Sequence, residues 1–158
     1  MTQKQRELHK QYKGYLWSLA WEIENTAHRL SRCRDSICAT VGLSPERWDA
    51  LAVIHRSPYV LSISGLARQL RRSRQSVHSL ALGMERDGLI LFLPNPDDRR
   101  LLQIQITDGG RRLLADTQQR YNTCLLTMWT DLDMRELREL RKTLRLIRDH
   151  IARAHDLL

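Results

Sequence analysis

Between Ser73 and Thr107 the chain switches from a helical to a strand-like apolar pattern, and no other feature limits its folds as tightly. Ser73-Arg-Gln-Ser-Val-His-Ser-Leu80 opens a helix that closes at Met84-Glu-Arg-Asp-Gly-Leu-Ile90. Two apolar strands follow, Leu89–Leu93 and Leu101–Thr107, joined by the tip Pro94-Asn-Pro-Asp-Asp-Arg-Arg100. A shorter helix comes before, with Ser62 or Ser64 as its N-cap and Leu66, Ala67 and Leu70 on its apolar side; Arg71-Arg72 forms the turn. Two short helices around a tight turn, followed by a hairpin with a basic tip, predict a winged helix-turn-helix. The helix suits a major groove and the tip suits a minor groove or phosphates, so double-stranded DNA is the leading partner.

The flanks predict helices. From Tyr12, apolar residues recur at Tyr15, Leu16, Leu19, Ala20, Ile23, Ala27, Leu30 and Ile37, with Gly42 placed to end the helix. Residues 1–10 are polar and read as a frayed end. Ser44-Pro45-Glu46 has the N-cap, first-turn proline and first-turn acid of a helix start; its apolar stripe is Trp48, Leu51, Ala52 and His55 or Ile54. Thr107 or Asp108 caps a helix with Leu114, Thr117, Tyr121, Cys124, Leu125, Met128 and Leu132 on its apolar side. Asp133 caps the last helix, where Leu137, Leu140, Leu144, Ile147, Ile151, Ala154 and Leu158 form a heptad seam. The expected architecture is mainly α with a small β-hairpin wing. Residues 44–107 form the winged DNA-binding lobe, and residues 12–40 and 108–158 form a helical dimerisation lobe. A two-fold homodimer matches a pseudo-palindromic operator.

Charge narrows the partner. With Lys+Arg at 26 against Asp+Glu at 18 in 158 residues, the net charge of +8 favours a polyanion. Arg68, Arg71, Arg72 and Arg74 fall within seven residues that hold no acid, whereas the last helix interleaves its arginines with Glu136, Glu139 and Asp149. On the Ser73 helix, Val77, Leu80, Ala81 and Met84 share the core side, which leaves Gln75, Ser79, Leu82 and Arg86 opposite and Arg74, Ser76 and His78 on the flanks. Gln75, Ser76 and Ser79 are the expected base readers. Arg74 contacts bases or phosphate, and Arg72, Ser73 and His78 complete the DNA-binding set. At the tip, Asp98 orients Arg100 toward a narrow groove and Arg99 takes phosphate.

These residues resemble the MarR family of bacterial transcription regulators. The resemblance rests on Leu66-Ala-Arg-Gln-Leu70, Ser73-Arg-Gln-Ser-Val77, Met84-Glu-Arg-Asp-Gly-Leu-Ile90, Asp98-Arg-Arg100, Ile106-Thr-Asp-Gly-Gly110 and the leading Gly42-Leu-Ser-Pro-Glu-Arg-Trp48. It implies a homodimer of six-helix winged protomers, with repression relieved by an aromatic acid or phenol, or by cysteine oxidation. Two departures stand out. Leu82-Gly83 replaces polar residues, with Gly83 costing about 1 kcal/mol of helix stability, and Arg71-Arg72 replaces a Gly or Asn and apolar pair in the turn.

The resemblance places an effector pocket between the two lobes, where Trp17, Trp21, His28, Arg29, Trp48 and His55 are the candidates for a planar anionic ligand. Cys33, Cys38 and Cys124 lack metal-site spacing. Arg32 and Arg34 flank Cys33, which leaves a thiol-based redox sensor as an alternative. Another is a winged-helix protein-interaction module. The chain shows no nucleophile elbow, phosphate loop, HExxH or paired catalytic carboxylates, so neither an enzyme nor a cofactor or metal is expected. With no signal peptide and no long apolar run, a cytoplasmic location without membrane insertion is expected.

Overall fold

The computed structural model describes residues 3–95 and 102–155, with side chains from residue 12 to 95 and 102 to 153. The elements run α1 (Gln3–Thr40), α2 (Pro45–Arg56), β1 (Leu61–Ser62), α3 (Ile63–Leu70), α4 (Arg74–Arg86), β2 (Ile90–Pro94), β3 (Leu102–Ile106), α5 (Asp108–Met128) and α6 (Met134–His155). Mainly helical with a small antiparallel sheet, this is a winged helix-turn-helix. The chain divides into two compact units, Met1–Gln119 and Arg120–Leu158.

In the first unit, local chemistry sets most boundaries. Gly42 at φ +69° ends α1: its N–H donates to Ala39 O and the Leu43 N–H donates to Cys38 O, which satisfies the last carbonyls. Ser44 Oγ then accepts the Arg47 N–H at 3.3 Å, and Pro45 opens α2. Ser62, not Ser64, caps α3 by accepting the Gly65 N–H. The start of α1 departs from expectation. The helix begins at Gln3 rather than near Tyr12, because residues 3–11 contain neither proline nor glycine to stop it.

The sheet holds one strand more than the sequence suggested. Leu61-Ser62 pairs antiparallel with β3, Leu61 opposite Ile104, giving the order β1-β3-β2. The hairpin register places Ile90 opposite Ile106 and Phe92 opposite Ile104, and Pro94 lies within β2 opposite Leu102 rather than in the tip. Ile90, Ile104 and Ile106 face inward onto Leu51, Leu66, Val77, Met84 and Leu114, the buried centre of this unit. On α2 the fourth stripe position is Ile54. His55 is exposed, because one turn of α2 carries only one of the two inward. Leu80 is half-buried rather than fully in the core.

In the second unit, Asp133 caps α6 in a reciprocal box. Its Oδ1 accepts the N–H groups of Arg135 and Glu136, while Glu136 Oε2 accepts the Asp133 N–H at 2.8 Å. The seam positions Leu137 and Ile147 are half-buried, whereas Leu140, Leu144 and Ile151 are exposed. Leu125 of α5 and Trp129 in the turn after it, with Leu137, Leu140 and Leu144 of α6, line an apolar groove of about 480 Å³, rimmed by Arg141, Arg145 and Arg148. No helix among the described residues is long and apolar enough to cross a membrane.

Candidate nucleic-acid interface

The tight turn between α3 and α4 sets how α4 is presented. Arg71 occupies the left-handed region (φ 53°, ψ 43°), a conformation that favours glycine. This geometry lets the Arg71 N–H donate to Arg68 O and the Arg72 N–H donate to Ala67 O at 3.0 Å, closing α3 within one residue of the next cap. Ser73 then starts α4, its Oγ accepting the Ser76 N–H at 3.2 Å. Ser73 therefore acts first as a cap, with one acceptor site already engaged.

The two faces of α4 separate cleanly. Val77, Ala81 and Met84 are buried, and Arg74, Gln75, Ser76, His78, Ser79, Leu82 and Arg86 are exposed. Arg68, Arg71 and Arg72 are also exposed, which puts basic side chains beside the positive end of the α4 dipole. Polar side chains, cations and helix N–H groups share one surface. Arg72 is the exception in this cluster: its Nη2 lies 3.8 Å from Glu46 Oε1. Asp98, Arg99 and Arg100 lie outside the described residues.

Gly83 has a tertiary explanation that no local rule supplies. It is buried, and a Cβ there would sit 3.1 Å from Arg47 Nη2. The Arg47 side chain crosses α4 through this gap, and its Nη1 meets Asp87 Oδ2 at 2.6 Å. The helix propensity lost at Gly83 thus makes room for a link between α2 and the end of α4. Glu85 Oε1 accepts the Phe92 N–H at 3.3 Å, which occupies a donor on the outer edge of β2.

The wing is anchored by Thr107, which settles the cap of α5 in its favour over Asp108. Its Oγ1 accepts the Gly110 N–H at 2.9 Å and donates to Gly88 O at 2.7 Å, and its N–H donates to Leu89 O. Gly110 is needed because a Cβ there would collide with the Leu89 carbonyl oxygen and lie 3.0 Å from Ile106 Cγ1. The Thr107-Asp-Gly-Gly110 motif therefore fastens α5 to the junction of α4 and β2, fixing the root of the hairpin against α4.

The effector candidates occupy different surroundings. Trp48 is buried in the core; Trp17 is 80% and Trp21 67% exposed, and His28 and Arg29 are also exposed on α1. His55 borders a separate groove of about 330 Å³ with Tyr59, Gln103, Gln105 and Arg111. Cys38 is fully buried, and burial raises its thiol pKa against the opposing charge of Arg34. Cys33 and Cys124 are half-buried. Among the described residues no three His, Cys, Asp or Glu side chains cluster as metal ligands. Sequence reasoning missed Glu46 as the neighbour of Arg72 and Arg47 as the partner of Asp87. Both are pairs between elements, and only a first-turn acid and an unexplained glycine hinted at them.

A family model for the MarR family matches residues 41–101. The uncharacterized protein Mb2034c of Mycobacterium bovis is 30% identical over 102 residues, 65% of this chain and 70% of that protein. The transcriptional activatory protein BadR of Rhodopseudomonas palustris is 30% identical over 97 residues, 60% of this chain. This chain belongs to the MarR family. The match spans only 55% of BadR's length. MarR-family proteins are transcriptional regulators rather than enzymes. Among solved structures, the MarR family regulator SP03579 superposes with a TM-score of 0.84 at 15% identity, over 93% of this chain and 97% of that one. A mutant of Staphylococcus aureus MepR bound to an oligodeoxyribonucleotide gives 0.62 at 18% identity, over 84% and 97%. CouR of Rhodococcus jostii bound to p-coumaroyl-CoA gives 0.69 at 19% identity, over 82% and 90%. These likenesses establish the fold.

Proposed function

We propose that this MarR-family chain is a cytoplasmic, homodimeric, sequence-specific DNA-binding regulator, a repressor released by a small aromatic acid or phenol. The observation that carries the reading is the α4 surface: Gln75, Ser76, His78 and Ser79 exposed beside Arg72 and Arg74, opposite a buried Val77–Ala81–Met84 side. Gln75, Ser76 and Ser79 read bases; Arg72 and Arg74 neutralise phosphates; Asp98 orients Arg100 at the wing, where Arg99 takes phosphate. The oligodeoxyribonucleotide on MepR supports this use of the fold, and p-coumaroyl-CoA on CouR supports a planar anionic effector. Trp17, Trp21, His28, Arg29, Trp48 and His55 are the residues proposed to meet that effector.

Apolar surface that one copy leaves uncovered supports dimerisation. Tyr12, Tyr15 and Trp17 are exposed on α1, and Leu140, Leu144 and Ile151 on α6. A second copy covering these helices satisfies both. The test is selection of the chain against random duplexes, followed by a screen of aromatic carboxylates for release. Enrichment of an inverted repeat with half-sites about 10 bp apart is expected; failure to enrich any sequence refutes the reading. Because BadR is named as an activator, a promoter-reporter assay with and without the chain decides the direction of regulation.

A further inference from the structure

Glu46 of α2 and Arg72 of the helix-turn-helix bring opposite charges together at the edge of the α4 surface. Glu46 is the second residue of α2, where the helix dipole favours a carboxylate. Its carboxyl is held below the usual range, first by its own backbone N–H, with Ser44 and the Arg72 guanidinium adding and burial opposing. It is therefore an anion at neutral pH. Arg72 directly precedes the Ser73 cap, and the left-handed turn at Arg71 directs it back toward α2, with Nη2 at 3.8 Å from Glu46 Oε1. Both side chains are nearly half exposed, so the pair is open to an approaching phosphate.

We propose that Glu46 competes with DNA phosphate for the Arg72 guanidinium and so sets the affinity of this face below what its arginines alone would give. The proposal rests on the DNA-binding reading of α4. If Arg72 stays on Glu46, its charge is already neutralised and contributes little counterion release. If Arg72 turns to the phosphate, Glu46 is left unpaired beside a polyanion. Either outcome weakens binding. An acid and a base about 4 Å apart in water interact by roughly a factor of five in equilibrium terms, and salt reduces it.

The experiment is fluorescence anisotropy of the full chain on its selected duplex, at low and high salt, with wild type, Glu46→Gln, Arg72→Ala and the double variant. Glu46→Gln is expected to bind about fivefold tighter at low salt. The gain should shrink at high salt and vanish in the Arg72→Ala background; Glu46→Ala should repeat it. Equal or weaker binding by Glu46→Gln overturns the proposal, as does the same gain without Arg72, which would assign the effect to long-range charge. Wild type that binds no duplex overturns the DNA reading and this inference together. Wild-type binding with an unchanged Glu46→Gln overturns the inference alone.

Discussion

Gly110→Ala tests the anchor that joins the hairpin, α4 and α5. The new methyl group would collide with Leu89 O, a backbone atom that cannot rotate away, and press on Ile106 Cγ1. Relief requires α5 to lift from the α4–β2 junction, which stretches the Thr107 Oγ1–H bond to Gly88 O (2.7 Å) and the Thr107 N–H bond to Leu89 O (3.1 Å). Overpacking costs about 1–3 kcal/mol and each weakened hydrogen bond about 0.5–1.5 kcal/mol; better helix propensity returns about 1 kcal/mol. The expected net loss is roughly 1–5 kcal/mol. Gly109→Ala is the matched control. Its Cβ would meet Thr107 Oγ1 at 3.5 Å and Gly88 O at 3.6 Å, ordinary contacts, so it should be neutral or stabilising by up to about 1 kcal/mol. Urea titrations at one protein concentration, compared at equal slope, give both values. A Gly110→Ala chain within about 1 kcal/mol of wild type, or a Gly109→Ala chain equally damaged, would refute the steric reasoning.

Arg71→Gly should stabilise the chain by about 0.5–1 kcal/mol, since a left-handed non-glycine residue costs about 1–2 kcal/mol and glycine's greater unfolded-state entropy returns part of it; a lower urea midpoint would contradict this. Leu144→Asp places a charge among the apolar side chains of the α6 groove and should shift the solution mass from dimer to monomer in analytical ultracentrifugation, with an unchanged mass excluding this face from the interface. Burial holds the Cys38 thiol protonated above its ordinary range, so at mildly alkaline pH it should alkylate far more slowly than Cys33 and Cys124 in the native chain and equally fast in urea. Equal native rates would mean that Cys38 is accessible.

The features legible in the sequence are those that a few consecutive residues determine. Ser44-Pro45-Glu46, Gly42, Ser73 and Asp133 each satisfy or terminate a helix end with chemistry of their own, so the helices could be placed in advance. The core side of α4 followed from periodicity through Val77, Ala81 and Met84. Leu61-Ser62 escaped notice because two residues carry no periodicity and become a strand only by pairing with Ile104 and Gln103. Gly83 looked like a helix defect until Arg47 was seen to cross it on the way to Asp87. Glu46 looked like a first-turn acid until the left-handed Arg71 brought Arg72 to it. The Asp98, Arg99 and Arg100 readings fall outside the described residues, and their roles rest on the wing resemblance and on proposal.

The claim that the exposed side of α4 reads DNA is tested most directly by the affinity of wild type and Gln75→Ala for the selected inverted repeat and for a scrambled duplex of equal length. Wild type should prefer the repeat. Gln75→Ala should lose about 1–3 kcal/mol on the repeat and almost nothing on the scrambled duplex, because a base contact carries sequence information that a phosphate contact does not. Equal wild-type affinity for both duplexes, or an unchanged Gln75→Ala affinity for the repeat, would contradict it.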